Sequence, residues 1–404
     1  MANTDRILTT HVGSLPRPQE LVELAFTAEG TAGRFEADAE AALEAAVSDA
    51  VRRQRDIGLD LIGDGEYGHP MGESYDFGPW LRYVFERLDG VELALATAST
   101  PPQEASGEVV LGPMSERRDW VLFSDAYGDP SSGVALPAWR PDNPWPVVRG
   151  PISYGGRAAL TRDIANFKAA LAENGLEEGF LNAVGPASCA RLANEYYATD
   201  EELLYACADA MREEYEAIID AGLLLQIDDP VIADNWDQIS PEPSLEAYKR
   251  FTRPRIEALN HAIRGLPPER IRFHLCWGSW HGPHVTDIPL ADIIDLMLAV
   301  NAGAYSFEAA NVRHEHEWRV WQEVALPEGT RLLPGVVSHA TNVVEHPELV
   351  ADRICRYAEI VGRENVIAST DCGLGGRVHP QIAWAKLESL VQGAAIAGER
   401  LWKR

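Results

Sequence analysis

The chain has 404 residues, 46% of them hydrophobic and 24% charged, and carries a formal net charge of −27. That length gives ample volume for a large core, while so negative a field repels nucleic-acid phosphates and anionic membrane surfaces and argues against both as partners. The five cysteines, Cys189, Cys207, Cys276, Cys355 and Cys372, are odd in number and form no short-spaced framework; with no apolar run as long as a membrane span and no leader-like start at Met1-Ala-Asn-Thr-Asp-Arg6, the expectation is a reduced, cytoplasmic protein.

In chain order, Ile7-Leu-Thr-Thr-His-Val-Gly-Ser-Leu-Pro-Arg-Pro18 begins as a β-branched strand and breaks at Gly13 and the prolines. Residues 35–56 read as a helix, because Leu43, Ala46, Val47 and Val51 recur at helical spacing and Gly58 closes it. A strand and its exit loop follow at 59–66. From there to about residue 146 the pattern loosens into clusters of Gly, Pro, Ser and Asp. Within that region 108–111 and 120–123 are expected to pair as a hairpin, with a turn at 127–130. The segment 88–146 is taken as an inserted excursion or lid within a single catalytic domain spanning 1–404.

Beyond it, strand-like and helical stretches alternate. Strands are expected at 146–153, 179–185, 223–230, 272–276, 304–308, 331–339 and 366–373, with helices at 161–173, 200–220, 244–263, 290–300, 347–361 and 378–396 and a shorter one after the 304–308 strand. Such alternation points to a parallel sheet covered by helices. Nine strand candidates are one too many for a closed eight-stranded ring, so the one at 146 is assigned outside it. Ser14, Glu66, Asp228, His274, Cys276, Glu308, His339 and Cys372 all fall at strand ends. In a doubly wound sheet those ends spread along a line, whereas in a TIM (β/α)8 barrel they converge on one face. The predicted fold is therefore an α/β barrel with an excursion after its second strand.

The stretch Arg272-Phe-His-Leu-Cys-Trp-Gly-Ser-Trp280 carries the strongest chemical signal. On a strand, His274 and Cys276 project to the same side, and an imidazole with a thiolate is a donor pair suited to zinc. Glu308 and Cys372, each at the end of a later strand-like run, are able to complete a tetrahedral N, S, O, S set. Taken singly, each is read as well by a bland alternative, since a lone cysteine near a strand end is commonly a small buried hydrophobe.

With these residues in view, the chain resembles the catalytic barrel of the cobalamin-independent methionine synthase family and its single-barrel relatives, which include epoxyalkane:coenzyme M transferases. The motifs that carry the resemblance are His11-Val-Gly-Ser-Leu-Pro-Arg-Pro18, Asp64-Gly-Glu66, Gln226-Ile-Asp-Asp-Pro230, His274-Leu-Cys276, Phe307-Glu308, Val337-Ser-His339 and Asp371-Cys-Gly-Leu374, dispersed over nearly the whole chain. The resemblance implies a zinc ion held by His274, Cys276, Glu308 and Cys372, with the acceptor thiol joining the metal as the carboxylate yields. It implies that Ser14 and nearby amides hold the carboxylate of homocysteine while Glu66 and Asp228 hold its ammonium. It also implies that His339 gives a proton to the leaving group, a task suited to a side chain with a reference pKa of about 6.5.

The expected activity is transfer of a methyl group to homocysteine, with a methylfolate, a methyl-corrinoid protein or another alkyl donor, and with room for a homo-oligomer. Two features set this chain apart from the family pattern and bear on the donor. Trp277-Gly-Ser-Trp280-His-Gly-Pro-His284 is bulky, and residues 91–145 have no counterpart. Alternatives are an epoxide-opening coenzyme M transferase, with Arg17 as the sulfonate's cation, and a zinc- or thiol-binding protein without turnover. A metal-free decarboxylase fits less well, because that reaction has no use for the ligand set. His281, His284, His314 and His316 are expected to support the site or lie on the surface, the last two on a solvated segment.

Overall fold

The computed structural model describes residues 5–27, 37–69, 79–95, 109–112, 116–134, 144–278 and 280–402. Eight parallel strands form the central sheet, β1 (Leu8–Thr9), β2 (Ile62–Gly63), β5 (Gly179–Val184), β7 (Leu224–Asp228), β8 (Ile271–Leu275), β9 (Ala304–Phe307), β10 (Arg331–Val337) and β11 (Ile367–Thr370). Their order is β1-β11-β10-β9-β8-β7-β5-β2. The first and last meet: the Asp60 and Leu61 amides donate to the Thr9 carbonyl at 3.1 and 3.0 Å. The Asp60 carboxylate in turn accepts from the Thr9 amide at 2.8 Å, so the ring closes. The fold is a TIM-type α/β barrel.

The helices return the chain between parallel strands, as the sequence periodicity anticipates. Asp200–Asp220 starts on Thr199, whose hydroxyl accepts from the Glu202 amide at 3.1 Å. Leu245–Ala262 starts on Ser244, whose hydroxyl accepts from Ala247 at 3.2 Å. Both are side-chain caps that satisfy amides the helix itself leaves open. The expected helices at 200–220 and 347–361 have these bounds, and the last helix runs on to Pro380–Trp402. The shorter helix after β9 is a 3₁₀ stretch, Glu315–Gln322. Among the described residues no helix is long and apolar enough to cross a membrane.

Between β2 and β5 the chain leaves the ring. A second sheet forms there from β3 (Leu88–Leu95) and β4 (Pro144–Tyr154), antiparallel to one another, and is joined by β6 (Ala193–Asn194) from beyond β5. The strand candidate at 146 thus belongs to this side sheet. Arg87, 4% exposed, anchors the sheet to the barrel helices through Asp163 and Glu214. The expected hairpin of 108–111 with 120–123 does not form. Residue 108 lies outside the described residues, and Leu111 bridges instead to Ile239. Trp120 sits in a short helix, Arg118–Leu122. The physical reason is charge: Arg117 is pulled inward to Asp234 and Asp237 beyond β7 and the Asp119 amide donates to Asp237, so the segment folds around buried ion pairs rather than a ladder.

Strand register sets the chemistry. Asp228 on β7 aligns with His274 on β8, and His274 with Ser306 on β9. Asn182 on β5 aligns with Gln226. These rows lie inside the ring near the C-terminal strand ends, the face where barrels build their sites.

Candidate metal and substrate centre

His274, Cys276 and Cys372 bring one donor atom each within 4.8 Å of one another. His274 is held from its far side, where Nδ1 meets the Ser306 hydroxyl at 3.2 Å. Its Nε2 is buried and makes no hydrogen bond of acceptable geometry. A polar contact with Cys276 holds the Cys372 thiol well below its ordinary range against the opposing effect of burial, with His274 and His339 assisting. The same contact, together with burial, pushes Cys276 well above the ordinary range. Burial opposes a charge on His274, yet Cys372, Asp228 and Glu308 outweigh it and raise its pKa. One nitrogen and two sulfurs converging with an unpaired nitrogen among them form a donor set for a soft divalent cation.

Glu308 lies beside this trio and belongs to a second cluster, with His339 and Asp371, whose donor atoms are also within 4.8 Å of one another. Its two oxygens are occupied, one accepting from the Trp277 amide at 3.0 Å and the other from Asn311 Nδ2 at 2.9 Å. Asp371 fixes the backbone just past Glu308, since one of its oxygens accepts from the Ala309 and Ala310 amides at 2.7 and 2.8 Å. A side chain at Gly335 would collide with that carboxylate, so the glycine makes its room. Burial and Glu308 push Asp371 up to about 7. The reference pKa leads one to expect a proton on His339 near neutrality. Burial instead lowers its pKa to about 4, with Glu308 and Cys372 opposing the shift. The resting imidazole is neutral at pH 7.

The two carboxylates expected to meet an ammonium are adjacent and buried. Asp228 accepts from Asn182 Nδ2 at 2.7 Å and from Gln226 Nε2 at 2.9 Å. Burial pushes it up to about 6, with His274 and the Asn182 hydrogen bond opposing. Glu66 is raised well above the ordinary carboxylate range, first by burial and then by the charge of Asp228, with Arg17 pulling the other way. Gly13 is what lets Glu66 fit, because a Cβ there would collide with Glu66 Oε1 and Asn182 Nδ2. Ser14 closes the ring of residues: its carbonyl accepts from the Leu374 and Gly375 amides at 2.8 and 3.0 Å, and its hydroxyl packs on Gly373. All eight residues singled out from the sequence therefore line one end of the barrel.

Some participants are not evident from the sequence. Asn182 sits in the otherwise apolar run Gly179–Val184 and is pointed inward by the pleat. Gln226, two residues before Asp228, was legible only as part of a motif. Arg272 is buried beneath the site, over the Phe180 ring at 4.0 Å, donating to Thr10 and His11. Burial lowers its pKa to about 9. The expectation that His314 is solvated is wrong: it is 3% exposed, stacked on Trp277 at 4.0 Å, and bridges Asp287 and Glu317. Burial opposes its charge, but those two carboxylates prevail and raise it to about 10. His316 is exposed, as expected.

With this geometry established, comparison with known proteins is informative. Residues 145–396 match the family model described as the cobalamin-independent synthase catalytic domain. A methionine synthase of Saccharolobus solfataricus is 27% identical over 228 residues, covering 55% of this chain and 60% of that one. One of Thermococcus kodakarensis is 28% identical over 211 residues, covering 52% and 54%. The matched part thus spans little more than half the length of these relatives. One of Sulfolobus acidocaldarius is 24% identical over 402 residues, 98% of this chain and 94% of that one. In architecture the chain is similar to a B12-independent methionine synthase from Shewanella sp. W3-18-1 in complex with selenomethionine, with a TM-score of 0.68 at 20% identity, covering 99% and 100% of the two chains. A putative vitamin-B12 independent methionine synthase from Listeria monocytogenes gives a TM-score of 0.63 at 19% identity, covering 98% of each. On its own residues and on the family model, this chain belongs to the cobalamin-independent synthase catalytic-domain family.

Proposed function

We propose that the chain is a zinc-dependent transferase that methylates homocysteine to give methionine, acting in the cytoplasm as one catalytic unit over residues 1–404. The observation that carries this reading is the juxtaposition of two features. The donor trio His274, Cys276 and Cys372 lies beside a buried carboxylate pair, Glu66 and Asp228, in which burial outweighs the pull of Arg17 on the one and of His274 on the other and holds both above the ordinary carboxylate range. The unpaired Nε2 of His274 and the soft sulfur donors fit zinc, and Glu308 is the adjacent fourth donor. Zinc, when bound, holds an acceptor sulfur as a thiolate at neutral pH.

The remaining work falls to the protein. Glu66 and Asp228 repel one another in a pocket of low polarity, and an ammonium between them removes the repulsion while orienting the amino acid. Ser14, against the Cys372–Gly373 turn, is suited to the substrate carboxylate. Asn182 and Gln226 keep the Asp228 carboxylate in place. His339, neutral at rest, takes up the proton that the acceptor thiol sheds and hands it on to the departing group, and the neighbouring carboxylates of Glu308 and Asp371 supply the negative charge that the transient imidazolium needs. The Shewanella relative forms a complex with selenomethionine, and the selenium analogue of an amino-acid thioether there supports an amino-acid acceptor here. A sulfonate thiol is disfavoured, because Arg17 is engaged with the backbone carbonyls of Glu66 and His69.

The test is metal analysis and turnover together. Wild type should hold one zinc per chain and methylate homocysteine from at least one of a methylfolate and a methyl-corrinoid protein. Cys276→Ser and Cys372→Ser should lose the metal. Full zinc content in both variants, or a zinc-loaded wild type inert toward every methyl donor, overturns the reading.

A further inference from the structure

Glu66 is one of two non-glycine residues with a left-handed backbone among those described, at φ 58, directly after Gly65 at φ 75. For a residue with a Cβ that conformation is held only when surrounding contacts over-determine it, and such residues gather at functional sites. The contacts here come from the first strand's exit loop. Arg17 Nη2 donates to the Glu66 carbonyl and, at 2.9 Å, to the His69 carbonyl. The Leu15 amide donates to the Gly65 carbonyl at 3.1 Å, and the Tyr67 hydroxyl to the Pro16 carbonyl at 2.6 Å. Two segments about fifty residues apart are thus zipped together, with the Glu66 side chain thrown over Gly13 toward Asp228.

We infer that Arg17 is a positioning residue for ammonium recognition, clasping the left-handed turn so that Glu66 faces the substrate nitrogen. The inference rests on the amino-acid acceptor proposed above. It assigns Arg17 no contact with substrate, which separates it from the other use a cation at this place could have, namely gripping the carboxylate or sulfonate of the thiol. A guanidinium suits the task because the N–H groups of Nη2 are held in a fixed plane and reach both carbonyls at once, whereas an ammonium is a freely rotating point charge.

The two uses are distinguished by truncated thiols. Binding to the zinc-loaded protein is measured by calorimetry with 3-aminopropane-1-thiol, which keeps the ammonium, and with 4-mercaptobutanoate, which keeps the carboxylate. Arg17→Met should weaken the aminothiol by roughly 10- to 100-fold and the mercapto-acid by less than about 2-fold. In a Glu66→Gln background the same substitution should have almost no effect on the aminothiol, because the group being positioned is already lost. Zinc content should be equal throughout. If Arg17→Met does not fold, Arg17→Lys carries the test, with the same pattern at smaller amplitude. Equal losses with both thiols, a loss confined to the mercapto-acid, or no loss with either overturns the inference. A wild type whose aminothiol affinity is indifferent to Glu66→Gln overturns the amino-acid reading beneath it.

Discussion

Two carboxylates forced side by side away from water raise each other's pKa, and a ligand ammonium reverses that shift. Asp228, held up at about 6 in the free protein by burial, should therefore release its proton as an amino acid binds. The sign follows: the bound state has the lower pKa, so affinity is full above the free value and is lost as pH falls through it. The dissociation constant of L-methionine should be flat near neutrality and rise below about pH 6. Asp228→Asn should weaken binding by about 1.5–3 kcal/mol, the scale of a charge-assisted hydrogen bond, flatten that pH profile and leave zinc content intact. An unchanged profile in the variant would remove Asp228 from ammonium recognition. Asp228 was legible in the sequence because it ends an apolar run. Asn182 and Arg272 were not, because inside a barrel both faces of a strand are buried and the apolar pattern no longer says which side chains look inward.

At the level of elements, the β-α alternation could be read almost throughout, since each strand is a short apolar run and each helix keeps its periodicity. The loops resisted, and the reason is that buried charge organises them. Asp119, fully buried, accepts from the His284 and Val285 amides and from Tyr127, tying 116–134 to the loop that follows Cys276. No local pattern announces such a partnership between segments far apart in sequence. The same logic places Lys386, on the closing helix Pro380–Trp402 and fully buried, against Glu345 at 2.9 Å. The other oxygen of Glu345 accepts from the Ser338 amide at 2.7 Å, next to His339. Lys386→Met strands a buried carboxylate, which should cost about 3–5 kcal/mol of stability and loosen the His339 loop. Urea unfolding should register the first effect and a reduced kcat the second. Arg400→Met, on the same helix as Lys386, breaks exposed pairs to Glu348 and Asp352 of the helix Pro347–Val361 and should change stability by no more than about 1 kcal/mol. Equal losses in the two variants would mean that the buried pair has no special role.

For the molecule as a whole, convergence of chemistry-bearing residues at strand ends was enough to choose a barrel over an open sheet, and the strand order, with its two ends joined by the Asp60 and Leu61 amides on the Thr9 carbonyl, bears that choice out. What the sequence expressed most plainly at this scale is charge, −27 over 404 residues. A field of that sign acts on approach, and it acts unequally on the two substrates proposed. Homocysteine is a net-neutral zwitterion and is not steered, whereas a methylfolate with a polyglutamate tail is repelled at long range. Screening shortens that repulsion, since the Debye length is about 10 Å at 0.1 M ionic strength and about 30 Å at 0.01 M. The kcat/KM for a polyglutamylated methyl donor should therefore rise as salt is raised from about 0.01 to 0.15 M, more steeply the longer the tail. A monoglutamate donor should respond weakly, and the KM for homocysteine should hardly move. If kcat/KM for the long-tailed donor falls with salt instead, a local basic surface must gather the tail against the global field, and the approach of the donor would then be governed by that patch rather than by the protein's net charge.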